Sequence, residues 1–174
     1  QKLYLALEGY DHLSRILTKQ LTMYNETFAV MDLVLFNQAM EHISRISRII
    51  DNPRGNAMLV GVGGSGKQSI TRLSAYTAGA DVYTITLTRG YHEQLFRDDL
   101  KTLYGMLAAK PVAFFFSDAH VAEEGFLELV NNMLTSGMVP ALLRLPGPCA
   151  GALGSAACCA AASLPPASQG ALAP

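Results

Sequence analysis

Hydrophobic residues in the first fifty positions recur at the spacing of amphipathic helices. In the first series they lie three or four positions apart, at Leu13, Leu17, Leu21 and Tyr24. Asp11 precedes most of this series and is placed to cap its first turn. A second series occupies residues 36–50, and the Pro- and Gly-containing residues 51–55 end it. The pattern predicts an N-terminal helical segment, residues 1–50, that leads into the rest of the chain.

Short apolar segments of strand length alternate with helical patterns in the middle of the chain. The predicted strands are residues 57–60, 82–87 and 112–117. The last of them is a continuous apolar run, which is typical of a strand buried on both faces of a parallel sheet. A helical pattern follows each strand, at residues 70–79, 92–107 and 123–137. This alternation predicts an α/β fold in which helices flank a parallel sheet in three layers.

The C-terminal residues have a different composition. Residues 145–174 contain no charged side chain and consist mainly of Ala, Gly, Pro and Ser with scattered Leu. A packed segment would show periodic large apolar residues, so this composition predicts a disordered, low-complexity tail. The predicted organisation is therefore a helical segment at residues 1–50, a partial α/β core at 51–143 and a tail at 144–174.

Overall composition excludes several classes of partner. The 174 residues are 50% hydrophobic and carry a formal net charge of −1, with no cluster among the 13 basic residues. Binding to nucleic acid requires such a cluster, so no nucleic-acid partner is expected. No apolar run approaches the length of a membrane span, so no membrane partner is expected either. The cysteines, at positions 149, 158 and 159, lack the spacing of a metal site, and a reducing intracellular compartment is compatible. The first residue is Gln1, so we expect a fragment or a processed product, and its surroundings lack the order of a signal peptide.

The candidate chemistry is concentrated between the first predicted strand and the helix after it. The residues of this loop are Gly61, Val62, Gly63, Gly64, Ser65, Gly66, Lys67, Gln68 and Ser69. Glycines allow backbone N–H groups to turn inward around a phosphate, and the following helix presents its positive end to the same anion. A lysine in phase with them adds an ammonium group for the outer phosphates. The loop therefore predicts a nucleotide-binding site.

The last position of the motif departs from the usual pattern. The loop matches G-x-x-x-x-G-K-[ST] through Lys67, but Gln68 replaces the Ser or Thr that normally ligates Mg²⁺, and Ser69 comes one residue late. A longer amide side chain does not occupy the position of a short hydroxyl, and Mg²⁺ demands near-ideal geometry. Gln68 or Ser69 is the candidate metal ligand here. Phosphate binding is predicted more firmly than hydrolysis.

A dinucleotide site is the rival interpretation, because Gly61, Gly63 and Gly66 also fit G-x-G-x-x-G. That motif requires an acidic residue at the far end of the second strand, about twenty positions on. Asp81 has the spacing but precedes the predicted strand 82–87 instead of following it. A dinucleotide-binding domain is therefore a distant alternative.

Asp118 is the second candidate site residue, because it directly follows the apolar strand 112–117. A carboxylate at such a strand end commonly holds Mg²⁺, with a neighbouring acid to orient water. Here only one acid is present. Either Asp118 serves the metal and Ala119 leaves no base, or Ser117 stands at the metal position and Asp118 replaces the base. Loss of a general base costs about 10²- to 10⁴-fold in rate, so binding should outlast turnover.

Three stretches of the chain carry a family resemblance. Residues 52–69, 85–91 and 124–137 closely resemble the corresponding parts of axonemal dynein heavy chains, in their fourth AAA+ module. The likeness covers residues 10–142. It implies an AAA+ P-loop ATPase core in a ring of six modules, where the first module hydrolyses most ATP and the fourth binds ATP or ADP and tunes the motor. It also implies an axonemal location in cilia or flagella, within the cytoskeleton and cytoplasm. Implied partners are microtubules, other AAA+ modules, and dynein intermediate and light chains.

The resemblance ends near Leu142, where the Ala-, Gly- and Pro-rich tail takes over. AAA+ sheets have the strand order 5-1-4-3-2. The strand ending at Val60 and the strand before Asp118 should therefore be separated by a fourth strand, and we expect that strand to be missing. The expected fold is an incomplete AAA+ core with a gap in its sheet. Two functions remain open: an ATP-binding module with little hydrolysis of its own, or a truncated, non-enzymatic fragment or interaction segment that binds no nucleotide.

Overall fold

The computed structural model describes residues 6–137, residue 139 and, by its backbone, the segment 157–163. Five helices are described: α1 Tyr10–Thr27, α2 Asn37–Asp51, α3 Lys67–Ala78, α4 Glu93–Leu107 and α5 Gly125–Ser136. Four strands are described: β1 Asn56–Gly61, β2 Asp81–Thr84, β3 Val112–Ser117 and β4 Ala157–Ser163. A 3₁₀ turn, Asp118–His120, directly follows β3.

The four strands form one parallel sheet in the order β1-β4-β3-β2. β3 pairs with β2 from Val112 opposite Asp81, and with β4 from Ala113 opposite Ala157. β4 also pairs along the whole of β1. Because all strands are parallel, their carboxyl ends meet at one edge of the sheet, where the candidate loop and Asp118 both lie.

Two apolar clusters cover the two faces of the sheet, which gives the predicted three layers. One cluster joins α1, α2 and α3 to the sheet around Ile43 and Leu73, both fully buried. The other joins α4 and α5 to β3 through a stack of phenylalanines: Phe96, Phe114, Phe116 and Phe126. All six residues of β3 are buried, as expected of a central parallel strand. The α/β fold predicted from the sequence is confirmed.

The prediction of an empty position in the sheet is wrong. Residues 157–163, from the segment predicted to be a disordered tail, occupy the position between β1 and β3. The physical reason is that strand pairing uses backbone groups, and the two facing edges of β1 and β3 offer unpaired N–H and C=O groups to any compatible segment. Residues 157–163 contain no Pro, Gly or charge that would oppose entry. The rest of the predicted tail lies outside the described residues.

Smaller differences concern the ends of elements. The second strand ends at Thr84, three residues before the predicted end at Leu87. Asp11 lies in the first turn of α1, whose cap position is Gly9, so the predicted capping role of Asp11 is wrong. The predicted stops at Gly79 and Gly137 are confirmed, since both residues have positive φ at helix C-caps. No helix in the described part of the chain is long and apolar enough to cross a membrane.

Candidate nucleotide site

The candidate loop joins β1 to α3 and takes a conformation that depends on glycine. Gly64 and Gly66 have φ values of 77° and 76°, in the left-handed region that side chains other than glycine rarely adopt. Gly66 is the N-cap of α3, and no side chain caps this helix. The first N–H groups of α3 have no partner within a helix and lack a side-chain cap, so they are available to an anion beside the loop.

The loop is also open on its outer side. A Cβ atom built on Gly63 or Gly64 would meet no other atom within 4 Å. Residues 62–65 are exposed to solvent, whereas Gly61 and Gly66 at the two ends are half-buried. The loop therefore presents an exposed curve of backbone between two half-buried residues, and a ligand can lie next to this curve.

Lys67 is held beneath this curve by backbone acceptors. Its Nζ donates to the carbonyl oxygens of Gly61 and Val62, both at 2.8 Å, and lies 3.4 Å from Ser65 Oγ. An ammonium group has three donors, and the third makes only the long contact to Ser65 Oγ, so a stronger acceptor such as a phosphate oxygen can replace it. The side chain is half-buried. Lys67 is therefore a localised positive charge next to the loop.

One cavity brings the loop and the end of β3 together. It has a volume of about 430 Å³ and is lined by the loop residues Gly63, Gly64, Ser65, Gly66, Lys67, Gln68 and Ser69 together with Phe115, Ser117, Asp118 and Ala119. The remaining predicted residues, Gly61 and Val62, contribute through the carbonyls that bind Lys67. The sequence-predicted site residues, from Gly61 to Asp118, are thus brought to one place although they are far apart in the chain.

Asp118 begins the 3₁₀ turn after β3 and is exposed on the cavity wall. It is the one carboxylate among the residues that line this cavity. Ser117, the other candidate at this strand end, is 6% exposed and serves as the N-cap of the turn. Both registers weighed from the sequence therefore concern residues that line this cavity. Asp118 is exposed to a soluble ligand, whereas Ser117 is buried.

His120 is not among the predicted site residues, but the structure links it to the strand end that carries Asp118. Its Nδ1 accepts a hydrogen bond from the backbone N–H of Ser117 at 3.0 Å, while the Ser117 side chain accepts one from the backbone N–H of His120. This is a reciprocal capping box with a histidine where Glu or Gln is usual. The signal was Ser117 three positions before a side chain with an acceptor. A histidine does not belong to the usual pattern, so the capping box could not be recognised from the sequence.

The environment of His120 favours its neutral form. Burial lowers the pKa of the imidazole, and the negative charge of Asp118 opposes that shift only in part. The ring lies against Phe115 and Phe116, with centroid distances of 6.1 and 5.8 Å. Because Nδ1 accepts the Ser117 N–H, the proton of the neutral ring is on Nε2.

A metal ion fits this cavity only together with a ligand. Gln68, Ser69 and Asp118, whose side chains carry oxygen atoms, are among its lining residues. The described part of the chain contains no group of three or more His, Cys, Asp or Glu residues that could hold an ion by itself. One or two protein oxygens plus phosphate oxygens and water is the donor set that Mg²⁺ usually takes in nucleotide sites. The residues present fit that arrangement.

The dinucleotide alternative loses its key residue. Asp81 is the first residue of β2, at the amino end of the parallel sheet, whereas the loop lies at the carboxyl end. Its carboxylate forms an ion pair with Lys110. A ribose bound next to the loop would therefore be out of its reach. A second cavity of about 470 Å³ is lined by residues that include the aromatic side chains of Tyr24 and Tyr76. None of its described lining residues belongs to the phosphate loop.

Comparison with known proteins identifies the family. A model described as "P-loop containing dynein motor region D4" matches residues 31–145. The Dynein-1-alpha heavy chain of the flagellar inner arm I1 complex of Chlamydomonas reinhardtii is 56% identical over 144 residues, 81% of this chain and 3% of that protein. Dynein axonemal heavy chain 10 of Homo sapiens is 54% identical over 143 residues, again 81% of this chain and 3% of the relative.

A third relative, the Dynein beta chain of the flagellar outer arm of Chlamydomonas reinhardtii, is 51% identical over 138 residues, 78% of this chain. The chain spans about 3% of the length of each of these relatives. The similarity covers the phosphate loop, α3, β3 and the turn with Asp118. The chain therefore belongs to the P-loop containing dynein motor region D4 family, as a segment of the fourth AAA+ region of a dynein heavy chain.

Proposed function

We propose that this chain binds ATP or ADP at residues 61–69 and that the bound nucleotide regulates a dynein motor more than it is turned over. The observation that carries the proposal is the arrangement around Lys67. Its ammonium is fixed under an open, glycine-dependent curve of backbone that faces the same cavity as Asp118. Backbone N–H groups, a helix N-terminus and a lysine together are suited to the triphosphate or diphosphate of a nucleotide.

Within this proposal each residue has a distinct role. The backbone from Gly63 to Lys67 binds the phosphates, and the carbonyls of Gly61 and Val62 hold the Lys67 ammonium in place. Mg²⁺ supplies charge neutralisation between the phosphates when it is bound. The candidate ligands for it are Gln68 or Ser69 on the loop side and Asp118 on the opposite wall.

The scarcity of acidic groups supports regulation over turnover. Among the described residues that line the cavity, Asp118 is the one with a carboxylate, and Ala119 follows it. A single carboxylate that serves Mg²⁺ leaves no second acid to deprotonate water, which costs about 10²- to 10⁴-fold in rate. Binding depends on backbone groups and Lys67, which are all present. A tightly held and slowly hydrolysed nucleotide is the expected outcome.

The proposed biological setting follows from the relatives. Their names place them in flagellar inner and outer arms and among axonemal heavy chains. We propose that this chain belongs to a microtubule-based motor of the ciliary or flagellar axoneme. Its partners would then be the other AAA+ modules of the motor, microtubules, and dynein intermediate and light chains.

Equilibrium binding of a fluorescent ATP analogue to the 174-residue chain tests the proposal. Lys67→Ala should weaken binding at least tenfold, or about 1.4 kcal/mol, because it removes the ammonium that the Gly61 and Val62 carbonyls fix beneath the loop. Lys101→Ala is the matched control, since Lys101 is an exposed lysine that pairs with Asp98 on α4. Competition with ADP and NAD separates a mononucleotide site from a dinucleotide site. Absence of binding by the wild type would favour the alternative of a fragment that binds no nucleotide, and equal binding by the wild type and Lys67→Ala would contradict a site built around Lys67.

A further inference from the structure

We propose that His120 is a positioning residue, which holds the turn that carries Asp118 so that this carboxylate can reach the Mg²⁺ of a bound nucleotide. The inference rests on the proposed nucleotide function and goes one step beyond it. Asp118 is the side chain that would contact the metal complex. His120 would act through Asp118 and would contact neither the nucleotide nor the metal.

The turn that carries Asp118 is a short segment directly after β3. It has only three residues, Asp118–His120, and Asp118 is exposed. The backbone hydrogen bonds that follow it run from Val121 N–H to the carbonyl of Asp118 and from Ala122 N–H to that of His120, both at 3.1 Å. Short 3₁₀ turns have poor hydrogen-bond geometry, so the position of Asp118 depends on how the turn is attached.

The capping box attaches the turn to the rigid part of the fold. Ser117 is the last residue of the buried strand β3, and both hydrogen bonds of the box join it to His120. These two residues bracket the turn, so the bonds fix the backbone at each side of Asp118. When Nδ1 is lost, the partly buried N–H of Ser117 is left without its acceptor, and the turn can move relative to the strand.

The imidazole ring is itself held in place. It packs edge-on against Phe115 and at an angle of 48° against Phe116. These contacts direct Nδ1 towards the Ser117 N–H. Packing and hydrogen bonding are therefore two separable contributions of the same side chain, and two substitutions can separate them.

The experiment uses the full chain with a matched pair of variants. His120→Phe keeps an aromatic ring against Phe115 and Phe116 but has no acceptor. His120→Asn loses the ring but places an amide oxygen where Nδ1 lies, so it can still accept the Ser117 N–H. For each protein, binding of fluorescent ADP is measured in EDTA and across a Mg²⁺ titration. The titration gives the Mg²⁺ affinity of the nucleotide complex, and Asp118→Ala defines its loss.

The expected result is a selective loss. His120→Phe should reduce the Mg²⁺ affinity roughly tenfold, as removal of a group that orients a metal ligand typically does. Its affinity for ADP in EDTA should stay unchanged, since the loop and Lys67 are intact. His120→Asn should keep the Mg²⁺ affinity within about twofold of the wild type, because it restores the acceptor.

Several results would overturn the inference. Wild-type Mg²⁺ affinity in His120→Phe, or an equal loss in a folded His120→Asn, would mean that the ring only packs. ADP binding that depends on Lys67 but not on Mg²⁺ would overturn the inference and leave the proposed function standing. Absence of ADP binding by the wild type in EDTA and in Mg²⁺ would refute the proposed function itself. Thermal unfolding of each variant shows whether it is folded. If His120→Phe is unfolded, the Mg²⁺ affinity of His120→Asn tests the inference.

Discussion

Substitution of Gly64 by alanine isolates the backbone conformation of the phosphate loop. A Cβ at this position meets no atom within 4 Å, so the new methyl group causes no collision. The φ of 77° is the only obstacle, because it puts a Cβ too close to the neighbouring carbonyl. An L-residue in this region costs about 1–2 kcal/mol. The substitution therefore changes the energy of the loop without changing its side-chain contacts.

This cost can be divided between folding and binding. If the loop of Gly64→Ala keeps its shape without ligand, the strain lowers the free energy of unfolding by about 1–2 kcal/mol and leaves the nucleotide affinity unchanged. If the loop relaxes to negative φ, the strain must be restored on binding. The dissociation constant then rises by about 5- to 30-fold, the factor that corresponds to the same energy. The two losses should together amount to this energy.

Gly63→Ala is the matched control. Gly63 is the adjacent residue of the same loop, its Cβ would also meet nothing within 4 Å, and its φ is outside the left-handed region. Urea unfolding gives the free energy of unfolding of both variants, and titration with the fluorescent ATP analogue gives their affinities. Gly63→Ala should cost less than Gly64→Ala in the sum of the two quantities. If the two variants are indistinguishable in both measurements, the loop does not have the conformation on which the site depends.

Three further predictions concern the fold around the site. Gly55→Ala should lower the free energy of unfolding, measured in urea, by about 1–3 kcal/mol, because its Cβ would lie 1.7 Å from the carbonyl oxygen of Ile49. Gly105→Ala, within α4 and with open space around it, should instead raise the free energy of unfolding by about 0.5–1 kcal/mol. A Gly105→Ala variant less stable than Gly55→Ala would contradict this packing. Phe96→Ala should lower the free energy of unfolding by about 3–5 kcal/mol, since the ring is fully buried and stacks on Phe126 with a centroid distance of 4.6 Å. A urea midpoint near that of the wild type would contradict the assigned core. The free energy of unfolding should fall as the pH drops below about 6.5, because burial lowers the pKa of His120 and the unfolded chain then binds the proton more readily than the folded chain. His120→Phe should show a smaller fall. The same pH profile in His120→Phe and the wild type would refute the assignment of this pH dependence to His120.

Local sequence patterns were enough to predict most of the fold and the loop. The nine loop residues are consecutive, so their conformation follows from glycine spacing and the flanking strand and helix. Asp118 could be added because the carboxyl ends of parallel strands share an edge. In both cases the decisive information lies within a few residues or in a general rule of sheet topology.

The strand at residues 157–163 could not be predicted in this way. Its sequence has none of the large β-branched residues that usually indicate a strand. What places it is the open position between β1 and β3, with backbone groups to pair on both sides. Tertiary context here outweighs intrinsic preference. β2 also differs from its prediction, since its pairing with β3 ends at Thr84, opposite Phe115.

The role proposed for His120 could not be predicted from the sequence, for a different reason. A capping box depends on the exact turn that follows a strand, and the sequence shows only a histidine three positions after a serine. The direction of the Lys67 side chain could likewise not be predicted from the sequence. Its motif indicates a phosphate ligand, but the two carbonyls that fix its Nζ belong to residues on the far side of the loop.

The central claim is that the backbone N–H groups between Gly61 and Lys67 bind a polyphosphate. Amide resonances of a ¹⁵N-labelled chain, followed by nuclear magnetic resonance during titration with pyrophosphate and then ADP, test this most directly. We expect the amide signals of Gly63, Gly64, Gly66 and Lys67 to shift with both ligands, while Gly105 on α4 stays unaffected. Unchanged loop amides at saturating ADP, or shifts confined to residues outside the loop, would contradict the account.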